Sequence, residues 1–186
     1  MKKIILSAAL MLTTVAAFAQ HAVGSLTIQP KIGMNIANLT KSDADARIGL
    51  AAGAELEYQA SDIVSVSAGA LYSMQGAKVH NLTTKLDYIN VPILANVYVA
   101  KGLAVKLGIQ PGFNVNSQYK LKVGDESSTK DIDVKTVDFS IPVGLSYEYN
   151  NFVVDARYNW GLTKISDFSD TKNSVFQITL GYKFGL

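Results

Sequence analysis

Eight charged residues stand at alternating positions in otherwise apolar segments: Lys31, Glu55, Glu57, Lys106, Glu148, Asp155, Arg157 and Lys183, four of each sign. Glu55 and Glu57, like Asp155 and Arg157, are two residues apart, a spacing that aims both side chains to one face of a β-strand. Charges crowded on one inward face must pair or be hydrated. The chemistry open to this set is therefore a structural ion-pair network or, as a sharper alternative, a narrow ion path or proton relay. Other chemistry has little to stand on. The histidines are His21, which falls in a frayed end, and His80, which falls in a loop. A Ser/His hydrolase pair of Ser73 and His80 is disfavoured, because Ser73 points with the polar interior face. Asp131 with Asp133, or Asp167 with Asp170, could attract Ca²⁺, but such sites need about six to eight oxygen ligands in a shaped loop. There is no cysteine, hence no thiolate metal site, and there is no phosphate loop or dinucleotide fingerprint. The expectation is no catalytic residue, no cofactor and no metal.

The elements that must position these charges are strands. Period-2 alternation runs through eight segments: 26–36, 49–58, 64–75, 87–99, 103–116, 137–149, 152–161 and 174–184. Most have roughly 10–13 residues, which suits a tilted membrane strand of roughly 9–11 better than a soluble strand of about 5–6. The connections 59–63, 100–102 and 150–151 are short, and Asn150-Asn151 suits a tight turn because Asn tolerates positive φ. The connections 37–48, 76–86, 117–136 and 162–173 are long and polar. Short turns at one end and long loops at the other are the outer-membrane pattern. The four prolines, Pro30, Pro92, Pro111 and Pro142, fall inside strands, where a missing N–H predicts local bulges.

One face of these strands is aliphatic. The other carries the eight charges, polar residues and many glycines. Aromatic residues sit on the aliphatic face and sort by height. Tyr58, Tyr147, Tyr149, Phe152, Tyr182 and Phe184 fall at the short-turn ends. Tyr72, Phe113, Phe139, Tyr158, Trp160 and Phe176 fall at the loop ends. Two aromatic girdles around an aliphatic band are what a bilayer selects. A soluble lipocalin-like carrier is the alternative; it would bury the aliphatic face and wet the polar one.

Composition agrees with the bilayer. The chain is 48% hydrophobic and 17% charged, yet beyond its N-terminus no apolar run is long enough for a spanning helix. Lys2 and Lys3, the apolar stretch Ile4–Phe18 and the Ala17-Phe18-Ala19 end read as a cleaved signal peptide over 1–19, leaving a barrel domain over 20–186. The full chain has a net charge of +2, and losing the two lysines leaves the signs balanced, which argues against a nucleic-acid partner.

The strands also resemble a known family. Pro30-Lys31-Ile32-Gly33, Leu71–Gly76, Asp87-Tyr88-Ile89-Asn90-Val91-Pro92-Ile93-Leu94, and the hairpin Val137–Tyr149 followed by Asp155–Leu162 resemble the PorT-like outer-membrane β-barrel family of Bacteroidetes. That resemblance implies an eight-stranded outer-membrane barrel and transfers no catalytic residue. The C-terminal pattern Thr179, Gly181, Phe184 and Leu186 looks like the β-signal read by the barrel-assembly machinery, with Leu in place of a final aromatic.

The expected protein is thus an all-β, eight-stranded antiparallel up-and-down transmembrane barrel in the outer membrane. It is expected to be a monomer with a structural or surface-interaction role. Its expected partners are outer-membrane lipids, the assembly machinery and an extracellular partner at loop 117–136. A narrow channel or a transport or secretion accessory is the alternative.

Overall fold

The computed structural model describes residues 21–40, 45–79, 82–123, 126–132, 134–165 and 170–186. The expected signal peptide over 1–19, and His80, Asp133 and Asp167, lie outside them. Among the described residues eleven strands form: β1 (Leu26–Leu39), β2 (Asp45–Gln59), β3 (Val64–Val79), β4 (Leu82–Asn90), β5 (Ile93–Ala100), β6 (Leu103–Val123), β7 (Glu126–Asp131), β8 (Val137–Tyr149), β9 (Phe152–Gly161), β10 (Asn173–Tyr182) and β11 (Phe184–Gly185). Every pairing is antiparallel, and β10 closes onto β1 with Lys31 opposite Gly181 and Asn35 opposite Gln177. The result is a closed barrel of eight staves. β4 with β5 makes one stave, β10 with β11 another, and β7 is an outlying strand hydrogen-bonded to β6.

The broken stave corrects the expected continuous strand over 87–99. Val91-Pro92 interrupts it, while the register with β3 runs on from Leu71 opposite Asn90 to Ala68 opposite Ile93. The freed backbone groups are still used: Val91 N donates to Pro111 O at 2.8 Å, and Gly69 N donates to Pro92 O at 3.1 Å. The expected proline bulges are also corrected. The register shifts lie elsewhere, between Ala46 and Ala51, Asp87 and Tyr88, and Tyr98 and Ala100. Proline costs one donor, and a short gap in the ladder absorbs that loss without an extra residue.

The periplasmic-type turns are tight. Asn150 and Asn151 take φ of 45° and 71°, and Gly102 takes 76°, the positive values that two-residue hairpins require. At the other end the strands overshoot. β6 has 21 residues and β3 has 16, well beyond the roughly 9–11 that cross a bilayer. Loop 117–136 is accordingly not irregular: β6 continues upward and returns as β7, with Gln118 opposite Asp131 and Lys120 opposite Thr129.

The faces divide as alternation requires. Ile32, Leu107, Leu145, Val154 and Leu180 are exposed on the outside, and the polar and charged side chains are buried inside. A soluble carrier would need the reverse.

Candidate functional site

Two stacked polar networks occupy the barrel interior. In the middle layer, three cations meet two carboxylates. Lys31 Nζ lies 2.8 Å from Glu55 Oε2 and 3.6 Å from Asp155 Oδ2. Lys106 Nζ lies 2.8 Å from Asp155 Oδ2. Arg157 Nη2 reaches Glu55 Oε1 at 2.9 Å and Asp155 Oδ2 at 2.7 Å, while its Nε donates to Asp155 Oδ1 at 2.8 Å. The two-residue spacing of Asp155 and Arg157 makes this fork possible within one strand. These side chains come from β1, β2, β6 and β9, so the contacts cross the lumen.

The lower layer places one cation between two carboxylates. Lys183 Nζ sits 3.0 Å from Glu57 Oε2 and 2.9 Å from Glu148 Oε2. Tyr98 and Ser65 each donate a hydroxyl to Glu57 Oε1 at 2.6 Å. His21 is corrected from a frayed end: its Nε2 lies 2.9 Å from Glu148 Oε1 and closes the layer at the short-turn mouth. Glycine makes room for the charged stems. A Cβ at Gly144 would lie 2.7 Å from the Arg157 Cβ, and one at Gly69 would lie 2.6 Å from Glu55 Cγ.

Above the ions the interior changes character. Ser73 is buried and receives Asn35 Nδ2 at 2.9 Å and Gln75 Nε2 at 3.0 Å. Higher still, Tyr88 OH accepts from Asn173 Nδ2 at 3.3 Å, and Asn173 Nδ2 also donates to Asp138 Oδ2 at 3.0 Å. Tyr88 and Leu86 then meet Ile165, with Leu39, Ile132 and Val134 packed against them. This aliphatic cluster floors a cavity of about 450 Å³ at the loop end, rimmed by Thr84, Tyr119, Lys130, Asp131 and Thr171.

Hydrogen bonds within the β6–β7 hairpin and between separate loops build this vestibule. Ile132 N donates to Ser117 O at 3.1 Å, and Ser117 Oγ donates to Ile132 O at 2.9 Å. Lys135 N donates to Ile165 O at 2.9 Å, and Thr40 N to Lys172 O at 2.9 Å. Phe139 N donates to Thr163 Oγ1 at 2.9 Å, and the Thr163 hydroxyl bonds to Asp138. Asp131 accepts from Gln118 Nε2 at 3.1 Å, and Asp170 pairs with Lys164 in solvent. Among the described residues, no group of three or more His, Asp or Glu side chains is placed to hold a metal ion.

The aromatic positions fall on the outer wall. Tyr58, Tyr72, Phe113, Phe139, Tyr147, Tyr149, Phe152, Tyr158, Trp160, Phe176 and Phe184 are exposed there, and Tyr182 is half-buried. Phe152 and Tyr182 stack edge to face at 5.0 Å, and Tyr182 meets Phe184 at 4.7 Å. Of the C-terminal set, Thr179 is buried inside, Phe184 and Leu186 point outward, and Leu186 N donates to Leu26 O at 2.9 Å. A Cβ at Gly181 would come within 2.5 Å of Gln29 Nε2 and 2.9 Å of the Pro30 carbonyl oxygen, so a side chain at this seam would force its neighbours to shift. Tyr88, Leu94 and Tyr98 are buried inside, although the sequence reading did not count them among the interior residues. The signal was available, since they share parity with Asn90 and Asn96.

An apolar outer wall, girdled ends and a charged interior define an integral outer-membrane β-barrel. Residues 18–167 match the family model described as the outer membrane protein beta-barrel domain, and the chain belongs to that family. No curated protein matches the chain. Among solved structures, it is similar to Ail, the attachment invasion locus protein of Yersinia pestis, at 17% identity and a TM-score of 0.54. That match covers 88% of this chain and 100% of Ail. A second Ail structure, in complex with the heparin analogue sucrose octasulfate, gives 15% identity and a TM-score of 0.56, covering 88% of this chain and 100% of that one. Neisserial surface protein A gives 15% identity and a TM-score of 0.54, covering 86% of this chain and 97% of that one. At such identities the likeness is one of fold.

Proposed function

We propose that this outer-membrane barrel is a surface-interaction protein whose charged interior is a structural plug and whose work is done at the extracellular loop end. The observation that carries the reading is the crossing of the lumen by two layers of ion pairs beneath an ordered vestibule. Lys31, Glu55, Lys106, Asp155 and Arg157 contact one another from four strands. Every one of them is nearly fully buried. An interior of eight strands is just wide enough for side chains to fill it. Solute passage would require these pairs to part, and breaking a buried pair costs about 3–5 kcal/mol.

In this reading the protein is not an enzyme and works as a monomer among outer-membrane lipids. Its last strand, through Thr179, Gly181, Phe184 and Leu186, is the segment offered to the barrel-assembly machinery. Kinship with the PorT-like branch rests on Asp87–Leu94 and Asp155–Leu162 and carries no role in secretion. The extracellular partner meets the β6–β7 hairpin, which also forms one wall of the vestibule.

Conductance across planar bilayers tests the reading. The wild-type barrel is expected to give no steady ion current, while Arg157→Ala combined with Glu55→Ala opens measurable steps. Steady wild-type current that vanishes in Lys106→Glu would make the barrel a narrow channel instead.

A further inference from the structure

The vestibule is built by three adjoining strands that present one face to it in register. Thr84 lies opposite Tyr119, and Tyr119 opposite Lys130, which makes one rung across β4, β6 and β7. The rung beneath carries Leu86 opposite Ser117, with Ile132 bonded to Ser117. Side chains two residues apart on a strand share a face and stand about 7 Å apart along it. Lys130 and Tyr119 therefore stand directly above the aliphatic floor of Leu86 and Ile132. Asp131 and Gln118 point to the opposite face, where they bond to each other. Asp131 and Lys130 both border the cavity, but the Asp131 carboxylate is engaged by Gln118, so the Lys130 ammonium is the charged group that alternation turns toward the space among the described residues.

The other walls are Leu39, Val134 and Ile165. These are branched aliphatic groups, not aromatic plates, so they suit a flexible chain better than a stacked ring. At about 450 Å³ the space lies within the roughly 300–1,000 Å³ typical of small-molecule sites. We infer that the vestibule binds a single-chain aliphatic carboxylate, its tail among Leu39, Leu86, Ile132, Val134 and Ile165 and its head at the Lys130 ammonium. Tyr119, opposite Lys130, offers a hydroxyl to the same head. The inference deepens the surface-interaction reading and rests on it for placing the vestibule outside the cell.

Methyl-labelled full-length mature protein in lipid nanodiscs, titrated with decanoate, provides the test. Saturable chemical-shift changes are expected at Leu39, Leu86, Ile132, Val134 and Ile165. The lipid-facing methyls of Leu107, Ile178 and Leu180 should report only non-saturating partition into the bilayer. Lys130→Glu should weaken the saturable binding about three- to tenfold, since an exposed ion pair is worth about 0.2–1 kcal/mol and reversal adds repulsion. Lys130→Arg and Lys101→Glu, the latter at the other mouth, should leave it unchanged. Val134→Phe should fill the space and abolish binding while the barrel keeps its heat-modifiable gel mobility. Shifts confined to the lipid-facing methyls overturn the site. Saturable binding that Lys130→Glu leaves untouched overturns the carboxylate assignment. Steady wild-type conductance sinks the parent reading whatever decanoate does; a non-conducting barrel whose vestibule ignores decanoate sinks this inference alone.

Discussion

The ion-paired lower interior and the floor of the loop-end vestibule are both buried, but opposite chemistry holds them. Below, Arg157, Asp155, Glu55, Lys31 and Lys106 are fixed by charge; the first four have partners on more than one strand, and Lys106 is held by Asp155 across the lumen. Above, Leu86, Tyr88 and Ile165 are fixed by apolar contact and by hydrogen bonds between loops. A charged cluster tolerates the loss of a partner badly, because the remaining charge stays buried and unpaired. An aliphatic cluster beside a cavity tolerates truncation better, because part of the space is already empty. In the proposed reading the barrel keeps its rigidity in the plugged interior and its adaptable surface at the loop end.

Substitutions that test this contrast can be ranked by expected effect. Arg157→Met removes the guanidinium that touches both Glu55 and Asp155, and should cost about 3–5 kcal/mol in urea unfolding from lipid vesicles. A near-neutral result would mean that the network is hydrated and loosely coupled. Leu86→Ala, at the vestibule floor, should fall near 2 kcal/mol, the low end of about 2–5 for leucine truncation, because the adjoining cavity lets the site relax. A cost equal to that of Arg157→Met would erase the distinction between the regions. Gly144→Ala drives a methyl against the Arg157 Cβ and the Ala156 carbonyl, and should cost about 1–3 kcal/mol through overpacking. Lys164→Ala breaks the exposed pair with Asp170 and should change stability by less than about 1 kcal/mol.

The lower region was more legible in sequence than the upper one. Strict alternation placed Lys31, Glu55, Lys106 and Arg157 on one face before any partner was known. Their pairing follows from closure of the barrel, which brings β1 against β10. The vestibule was not legible, because Leu39, Leu86, Ile132, Val134 and Ile165 come from four separate stretches of chain and share no period. They meet because β6 overshoots the bilayer and returns as β7, and Ser, Thr, Lys and Asp residues in 117–136 read as a polar loop. His21 was missed for a similar reason: its partner Glu148 lies 127 residues away. The break at Pro92 was foreseen as a disturbance but not as a gap, since the ladder's tolerance depends on which side the missing N–H faces.

Because the chain has no cysteine, single cysteines can report its placement without background. The most direct measurement is labelling by a membrane-impermeant maleimide in intact cells at three positions: Lys130→Cys in the vestibule, Ser65→Cys in the lower ion layer, and Asn150→Cys in a short turn. The expected result is prompt labelling at 130, none at 150 until the outer membrane is permeabilised, and none at 65 in the folded barrel under either condition. Labelling at 65 from outside would contradict a plugged interior, and labelling at 150 but not at 130 would invert the orientation on which the vestibule's role depends.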